Sequence, residues 1–243
     1  GEGNERIYGC SNSSFLANIT PYMHGGRAYT DDLVSIAFHE KESVKSLQMM
    51  ADLINVDRAI PDAALEKTIP GDQLFAVGQS AFYVLPGWEA GGLGEKIDGN
   101  FAFDVITLPK TPSGEAVGMN FITALGINSA SEQKDLAWEY ILNATTNPEV
   151  QNVIANLCGP ALKDSAESIY AVEKVGATTT YQVLVDAFDG APLNVWGGAL
   201  NKIGDEYNRC WEDITLNKED VEETTKKYAA TAQKYLDEAM NSQ

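Results

Sequence analysis

The strongest constraint on the fold is a change of pattern part-way along the chain. Up to about residue 127, short apolar runs alternate with amphipathic stripes. Beyond Gly159-Pro160 only the stripes continue. The runs are Ile7-Tyr8, Ala81–Leu85, Phe103–Leu108 and Phe121–Ile127, all rich in β-branched or aromatic residues. Such runs suit buried strands, whereas apolar residues three and four apart mark one face of a helix. Strands separated by helices, then helices alone, predict an α/β chain with a small, mostly parallel or mixed sheet and a helical C-terminal end.

The stripes predict where the helices lie. Phe15 to Met23 forms a short helix closed by Gly25-Gly26, and Val44, Leu47, Ala51 and Ile54 define one over roughly 42–55. Asp62 to Val77 is helical in part and stops at Gly78, and Gly91 to Gly94 is read as a loop. Leu136, Ala137, Tyr140 and Ile141 face one helix, with Ser129 and Glu132 at capping-box spacing and Ser131 as a rival cap. Asn147-Pro148-Glu149 opens the next, which buries Val150, Val153, Ile154 and Leu157. Tyr181, Leu184, Val185 and Phe188 make a further stripe. Leu200, Ile203, Tyr207, Cys210 and Ile214 make another, and Asn217 caps a last helix facing inward through Val221, Tyr228, Ala232, Leu236 and Ala239.

Composition then excludes whole classes of function. The 243 residues can bury a core without disulfide or metal staples, and 44% hydrophobic with 21% charged residues is globular composition. A formal charge of −18 repels phosphate backbones and anionic lipid heads, so nucleic acid is excluded as a general partner. Cys10, Cys158 and Cys210 include no Cys-x-x-Cys pair and are expected to be thiols. No apolar run approaches the roughly 20 residues that span a bilayer. The start at Gly1-Glu2-Gly3-Asn4 suggests a removed leader or a beginning inside a longer protein.

The usual catalytic signatures are missing. His24 and His39 lie in no metal-ligand spacing, and no metal or cofactor is expected. There is no Gly-x-Ser-x-Gly elbow and no phosphate-binding P-loop. Gly92-Leu93-Gly94 begins like a dinucleotide loop, but position 97 is Ile rather than Gly. Carboxylate pairs such as Glu222-Glu223 and Asp31-Asp32 lie in charged runs and read as solvated faces.

One ordered series of motifs is informative. Phe75, Gly78 and Ala81 are followed by an apolar run and by Gly87-Trp88. A strand-like run then ends at Leu108-Pro109, a turn carries Gly118, and Asn128 to Ser131 precedes a helix containing Ala137-Trp138. Over roughly residues 65–165 this series resembles the extracellular solute-binding proteins of ABC importers, in the sugar-binding branch that includes maltose-binding protein. Phe82 stands where that family has Met, and Cys158-Gly159-Pro160-Ala161 stands where Gly-x-Pro-x is common. The resemblance implies a periplasmic-binding-protein-like (type II) fold, of which this chain looks like the C-terminal three-fifths. Residues 1–104 and 159–243 are then expected to form the C-terminal lobe. Residues 105–158 would be a hinge crossing at 103–108 and a returning segment of the N-terminal lobe. That segment's apolar faces should be exposed, pack on another copy, or fold onto the remaining lobe.

The resemblance also implies a function: capture of a small solute outside the cytoplasm, a carbohydrate or oligosaccharide first, for delivery to the membrane subunits of an ABC importer. The protein would be periplasmic or a cell-surface lipoprotein, with any lipid anchor on the missing N-terminus. It would not be an enzyme. A glycan-active enzyme using a carboxylate pair, and a surface sensor or interaction module, are the alternatives. Trp88 follows the Pro86-Gly87 turn and, by resemblance, supplies a stacking aromatic. Trp196, on a Gly-flanked approach to a helix, is the second candidate. Asn12 and Ser13 after the first strand, and Asn120 in the returning segment, are candidate polar contacts. Trp138 and Trp211, inside helices, are expected to be packing residues.

Overall fold

A computed structural model describes residues 6–110, 118–120, 124–154, 159–165, 183 and 199–241. The expected Trp196 contact, the thiol of Cys158 and the stripe from Tyr181 to Phe188, apart from the helical residue Val183, lie outside these residues. The chain forms two compact units. One comprises Gly1–Val84, Leu108–Met119 and Pro192–Gln243; the other comprises Leu85–Thr107 and Asn120–Ala191.

The first unit is built on strands β1 (Tyr8–Ser11) and β2 (Ser80–Tyr83), which pair in parallel with Tyr8 opposite Ser80 and Cys10 opposite Phe82. A parallel pair needs a long crossover, and the residues between supply it as helices. These are α1 (Ser13–Met23), α2 (Lys41–Asn55), α3 (Ala63–Thr68) and α4 (Gly71–Ala76). Asp62 caps α3, its carboxylate accepting from the Leu65 amide at 2.8 Å. Gly78 lets the chain leave α4 in the left-handed region (φ 75°), at the stop the sequence indicates. β2 departs from the expected buried run: Ser80 is buried, whereas Ala81 and Phe82 are exposed.

The core of this unit lies between α2 and two long helices. Leu47, Met50, Ala51 and Ile54 of α2 pack with Phe38 and with Ile203, Tyr207, Cys210, Trp211 and Ile214 of α8 (Ala199–Thr215). Ala229, Ala232 and Leu236 of α9 (Val221–Asn241) complete it. Trp211 is thus a packing residue, as expected. Asp220, not Asn217, caps α9, accepting from the Glu223 amide at 2.9 Å. Asn217 instead donates to Asp213 Oδ1, because Lys218 turns left-handed (φ 56°) and delays the helix.

Asp213 joins α8 to α9. Its Oδ2 accepts from the Tyr228 hydroxyl at 2.6 Å and faces Lys227 Nζ at 3.4 Å. The Tyr228 hydrogen bond, then those of Asn217 and Lys227, hold the Asp213 carboxyl below its ordinary 3.8. A depressed folded pKa means the stabilisation is present above the unfolded value and is lost as pH falls through the folded one. Tyr228→Phe should therefore flatten the loss of stability below about pH 4, with at most about 1 kcal/mol at neutral pH because the pair is partly solvated. Urea unfolding of both proteins between pH 2 and 7 measures this; an unchanged acid slope contradicts it.

In the second unit, a 3-10 turn at Gly87–Glu89 leads into α5 (Ala90–Ile97). The expected loop at Gly91–Gly94 is therefore helical. Leu93 and Ile97, four apart, are both buried, and that burial outweighs a glycine cost of about 1 kcal/mol per residue. Phe103–Leu108 forms no ladder among the described residues, although burial alternates residue by residue from Phe101 to Ile106 as in extended backbone. The chain changes units after Thr107.

Helix α6 (Lys134–Thr146) has no side-chain cap at Gln133, and neither Ser129 nor Ser131 caps it. Ser131 Oγ accepts only from the Gln133 amide ahead of the helix. Asn147 does cap α7 (Pro148–Ile154), its Oδ1 accepting from the Glu149 amide at 3.0 Å. Buried Gln151 ties this hairpin to the next turn, donating to the Ala144 carbonyl and accepting from the Ala161 amide. Two residues of the face expected to bury α6 are bare, Leu136 at 62% and Tyr140 at 67% exposed, and Trp138, on the opposite side of the helix and expected to pack, is 53% exposed. Exposed apolar side chains of this kind bind environment-sensitive dyes. Trp138→Glu with Tyr140→Lys should lower the fluorescence of bound anilinonaphthalene sulfonate severalfold; equal signals place the dye elsewhere.

Candidate functional site

The end of β1 is held by hydrogen bonds from three distant residues, Glu66, Gly71 and Val84. Buried Ser11 donates its hydroxyl to the Gly71 carbonyl at 2.9 Å. Asn12 then turns left-handed, at φ 78° and ψ 56°, an uncommon conformation for a residue with a Cβ. It caps α1 by position but not through its side chain. A carboxylate from α3 does that work. Glu66 Oε1 accepts from the Asn12 amide at 2.6 Å, and its two oxygens accept from the Ser13 amide at 2.9 and 3.0 Å. Oε2 also accepts from the Ser13 hydroxyl at 2.7 Å. A negative group at the start of a helix satisfies orphan amides and opposes the helix dipole favourably.

The Asn12 side chain reaches the other strand. Its Nδ2 donates to the Val84 carbonyl at 3.0 Å, just past β2. Gly71 packs so closely that an added Cβ would lie 2.8 Å from the Asn12 nitrogen. Cys10, one step back, has its thiol pushed up to about 11, by burial first and by Glu66 second, so it is a poor nucleophile. Cys210 is a free thiol as well, pushed up to about 12 mainly by burial.

The remaining candidates fall in different places. Ser13 is fully buried with its hydroxyl on Glu66, and Asn12 is half-buried. Trp88 sits in the 3-10 turn of the second unit, 38% exposed, four residues after Val84 in the chain. Asn120 is half-buried in that same unit. Glu66 carries no sequence signal: Ala64-Leu65-Glu66-Lys67 reads as one turn of a solvated helix.

A second feature of the first unit is a small recess lined by Asn18, Tyr22, Arg27, Phe38, Met119 and Tyr207 among others. Tyr22 accepts from the Ala28 amide, and burial raises its hydroxyl above the ordinary value. Arg27 is committed to Asp31 and Glu40. Among the described residues no group of three or more His, Cys, Asp or Glu can hold a metal ion, and no helix is long and apolar enough to cross a membrane.

No protein-family model matches the chain, and no curated protein matches it. Solved structures do. The ABC substrate-binding protein Lmo0181 of Listeria monocytogenes, in complex with cycloalternan, superposes with a TM-score of 0.75 over 99% of this chain at 17% identity. The chain has the type II periplasmic-binding-protein fold. An ABC transporter solute-binding protein of Thermotoga lettingae bound with α-D-tagatose gives 0.73 over 97% at 19% identity. UgpB of Mycobacterium tuberculosis, in complex with glycerophosphocholine, gives 0.72 over 98% at 17% identity. This chain covers 61%, 61% and 60% of those three chains, so it spans about three-fifths of the type II structures it matches. The small parallel sheet and the helical C-terminal end expected from the sequence are those of this fold.

Proposed function

We propose that the protein of which this chain is part captures a small neutral solute, a carbohydrate or oligosaccharide, and hands it to the membrane subunits of an ABC importer. The observation that carries the reading is the likeness of nearly the whole chain to binding proteins whose solved complexes hold cycloalternan and tagatose. The turn after β1 supports it, because a rigid polar turn at the carboxyl ends of parallel strands is where α/β proteins take ligands. Within this reading Asn12 supplies a directed hydrogen bond, and Trp88 supplies a stacking face suited to the apolar C–H surface of a sugar. Trp196 and Asn120 remain candidate contacts, and Ser13, with its buried hydroxyl on Glu66, holds the turn that presents Asn12.

In the same reading no bond is made or broken, and the protein works outside the cytoplasm, in a periplasm or held at a cell surface by a lipid. Residues 1–104 and 159–243 serve as one lobe, and 105–158 as the hinge crossing and a returning part of the other, a division that differs from the two compact units over 85–104, 108–119 and 159–191. The bare face of α6 belongs to that returning part. The test is a thermal-shift and calorimetric screen of the full chain against maltotriose, tagatose, other neutral sugars and glycerophosphocholine. Ligand at 100-fold above its dissociation constant should stabilise by about 2.7 kcal/mol. Binding of the phosphodiester with no neutral sugar bound overturns the carbohydrate reading, and turnover of any glycoside in the panel overturns the transport reading.

A further inference from the structure

We propose that Glu66 is a positioning residue for solute capture: from α3 it holds Asn12 in its left-handed turn, so that the Asn12 side-chain carbonyl faces a ligand hydroxyl as a fixed acceptor. This rests on the function proposed above and adds to it a residue and a contact.

The geometry leaves little else for the arrangement to do. Asparagine enters the left-handed region more readily than most residues with a Cβ, and at Asn12 long-range hydrogen bonds fix it there at φ 78°. Five tethers converge here from far along the chain. Glu66 binds both amides and the Ser13 hydroxyl across 53 and 54 residues. Ser11 binds Gly71 across 60, and Asn12 Nδ2 binds Val84 across 72. A cap alone would need one acceptor, and Asn12 is itself a residue type well suited to capping its own helix. Its amide is used elsewhere instead. Because the Val84 carbonyl can only accept, the group facing it is the Asn12 nitrogen, which assigns the amide and directs Oδ1 away from the strand. Oδ1 has no partner among the described residues. An acceptor locked on both sides loses no rotamer entropy when a hydroxyl donates to it, which is how preorganisation raises affinity.

A double-mutant cycle reads this role apart from a structural one. Maltotriose and tagatose affinities are measured by calorimetry for the full chain and for Glu66→Gln, Asn12→Ala and the double variant, with thermal unfolding of each without sugar. Glu66→Gln keeps the shape but turns one acceptor into a donor that opposes the Ser13 or Asn12 amide. The expected result is about a tenfold loss of affinity for each single variant and no further loss in the double, while the two unfolding shifts add. Should Glu66→Gln fail to fold, Ser13→Ala, which removes one of the Glu66 bonds, takes its place in the cycle. Losses of affinity that multiply to about a hundredfold, or wild-type affinity in Glu66→Gln, overturn the positioning role and leave the binding function standing. Absence of binding of either sugar by the wild-type chain overturns both.

Discussion

Phe38→Ala should lower the unfolding free energy by about 3–5 kcal/mol, the range for deleting a buried aromatic side chain. Phe38 is 1% exposed and belongs to the core formed by α2, α8 and α9. Its ring meets Tyr207 edge to face, with centroids 5.2 Å apart and planes 72° apart, a favoured aromatic geometry. Tyr207 cannot follow into the space left behind, because its hydroxyl donates to the Ala17 carbonyl at 2.6 Å and ties α8 to α1. The cavity therefore stays open, and the cost sits at the upper end of the range. Since domains of ordinary stability hold about 5–15 kcal/mol, this one change removes a third or more of the total. Urea unfolding followed by circular dichroism and by fluorescence measures it, coincidence of the two probes testing two-state behaviour in a chain of two compact units. A loss below about 1 kcal/mol shows that the site collapses and that the aromatic contact matters little.

Trp88→Ala should weaken sugar binding by about 1–3 kcal/mol, the scale of losing a stacked aromatic contact, with little change in the stability of the unliganded chain. The exposure of Trp88 sets the second half of that expectation. At 38% exposed, on a 3-10 turn with no buried residue, its ring contributes less to packing than Trp211, which is 4% exposed. Calorimetry with maltotriose and thermal unfolding without sugar read the two effects apart. If unliganded stability falls by several kcal/mol while affinity per folded molecule is unchanged, Trp88 is a packing residue and the ligand role fails.

The helical half of the fold was legible because helix signals are local. The stripe over 42–55 became Lys41–Asn55, the cap and proline at Asn147-Pro148 became the start of α7, and the stop at Gly78 came where a left-handed glycine was needed. Errors arose where burial decided. Gly91–Gly94 looked like a loop because glycine disfavours helix, yet Leu93 and Ile97 carry the segment into one. Leu136, Ala137, Tyr140 and Ile141 have the spacing of a buried stripe, yet Leu136 and Tyr140 are exposed, because an apolar spacing does not say what lies opposite it.

The candidate site divides in the same way. Asn12 and Trp88 could be picked out from their positions after strand-like runs and turns. Glu66 could not, since an acidic residue on a short helix among 35 acidic residues has nothing to distinguish it. The sequence by itself determined the fold class, the helices over residues 199–241 and the absence of familiar catalytic motifs, all of which rest on periodicity and on residue types within a few positions of each other. Only the tertiary structure decided that Asn12 turns left-handed and that its amide is fixed by Val84. It also decided that a carboxylate 54 residues away sits on the Asn12 backbone. The physical reason is that a hydrogen bond closing so long a loop has no local signature: it forms because the parallel pairing of β1 and β2 folds the intervening helices back and brings α3 against the strand end.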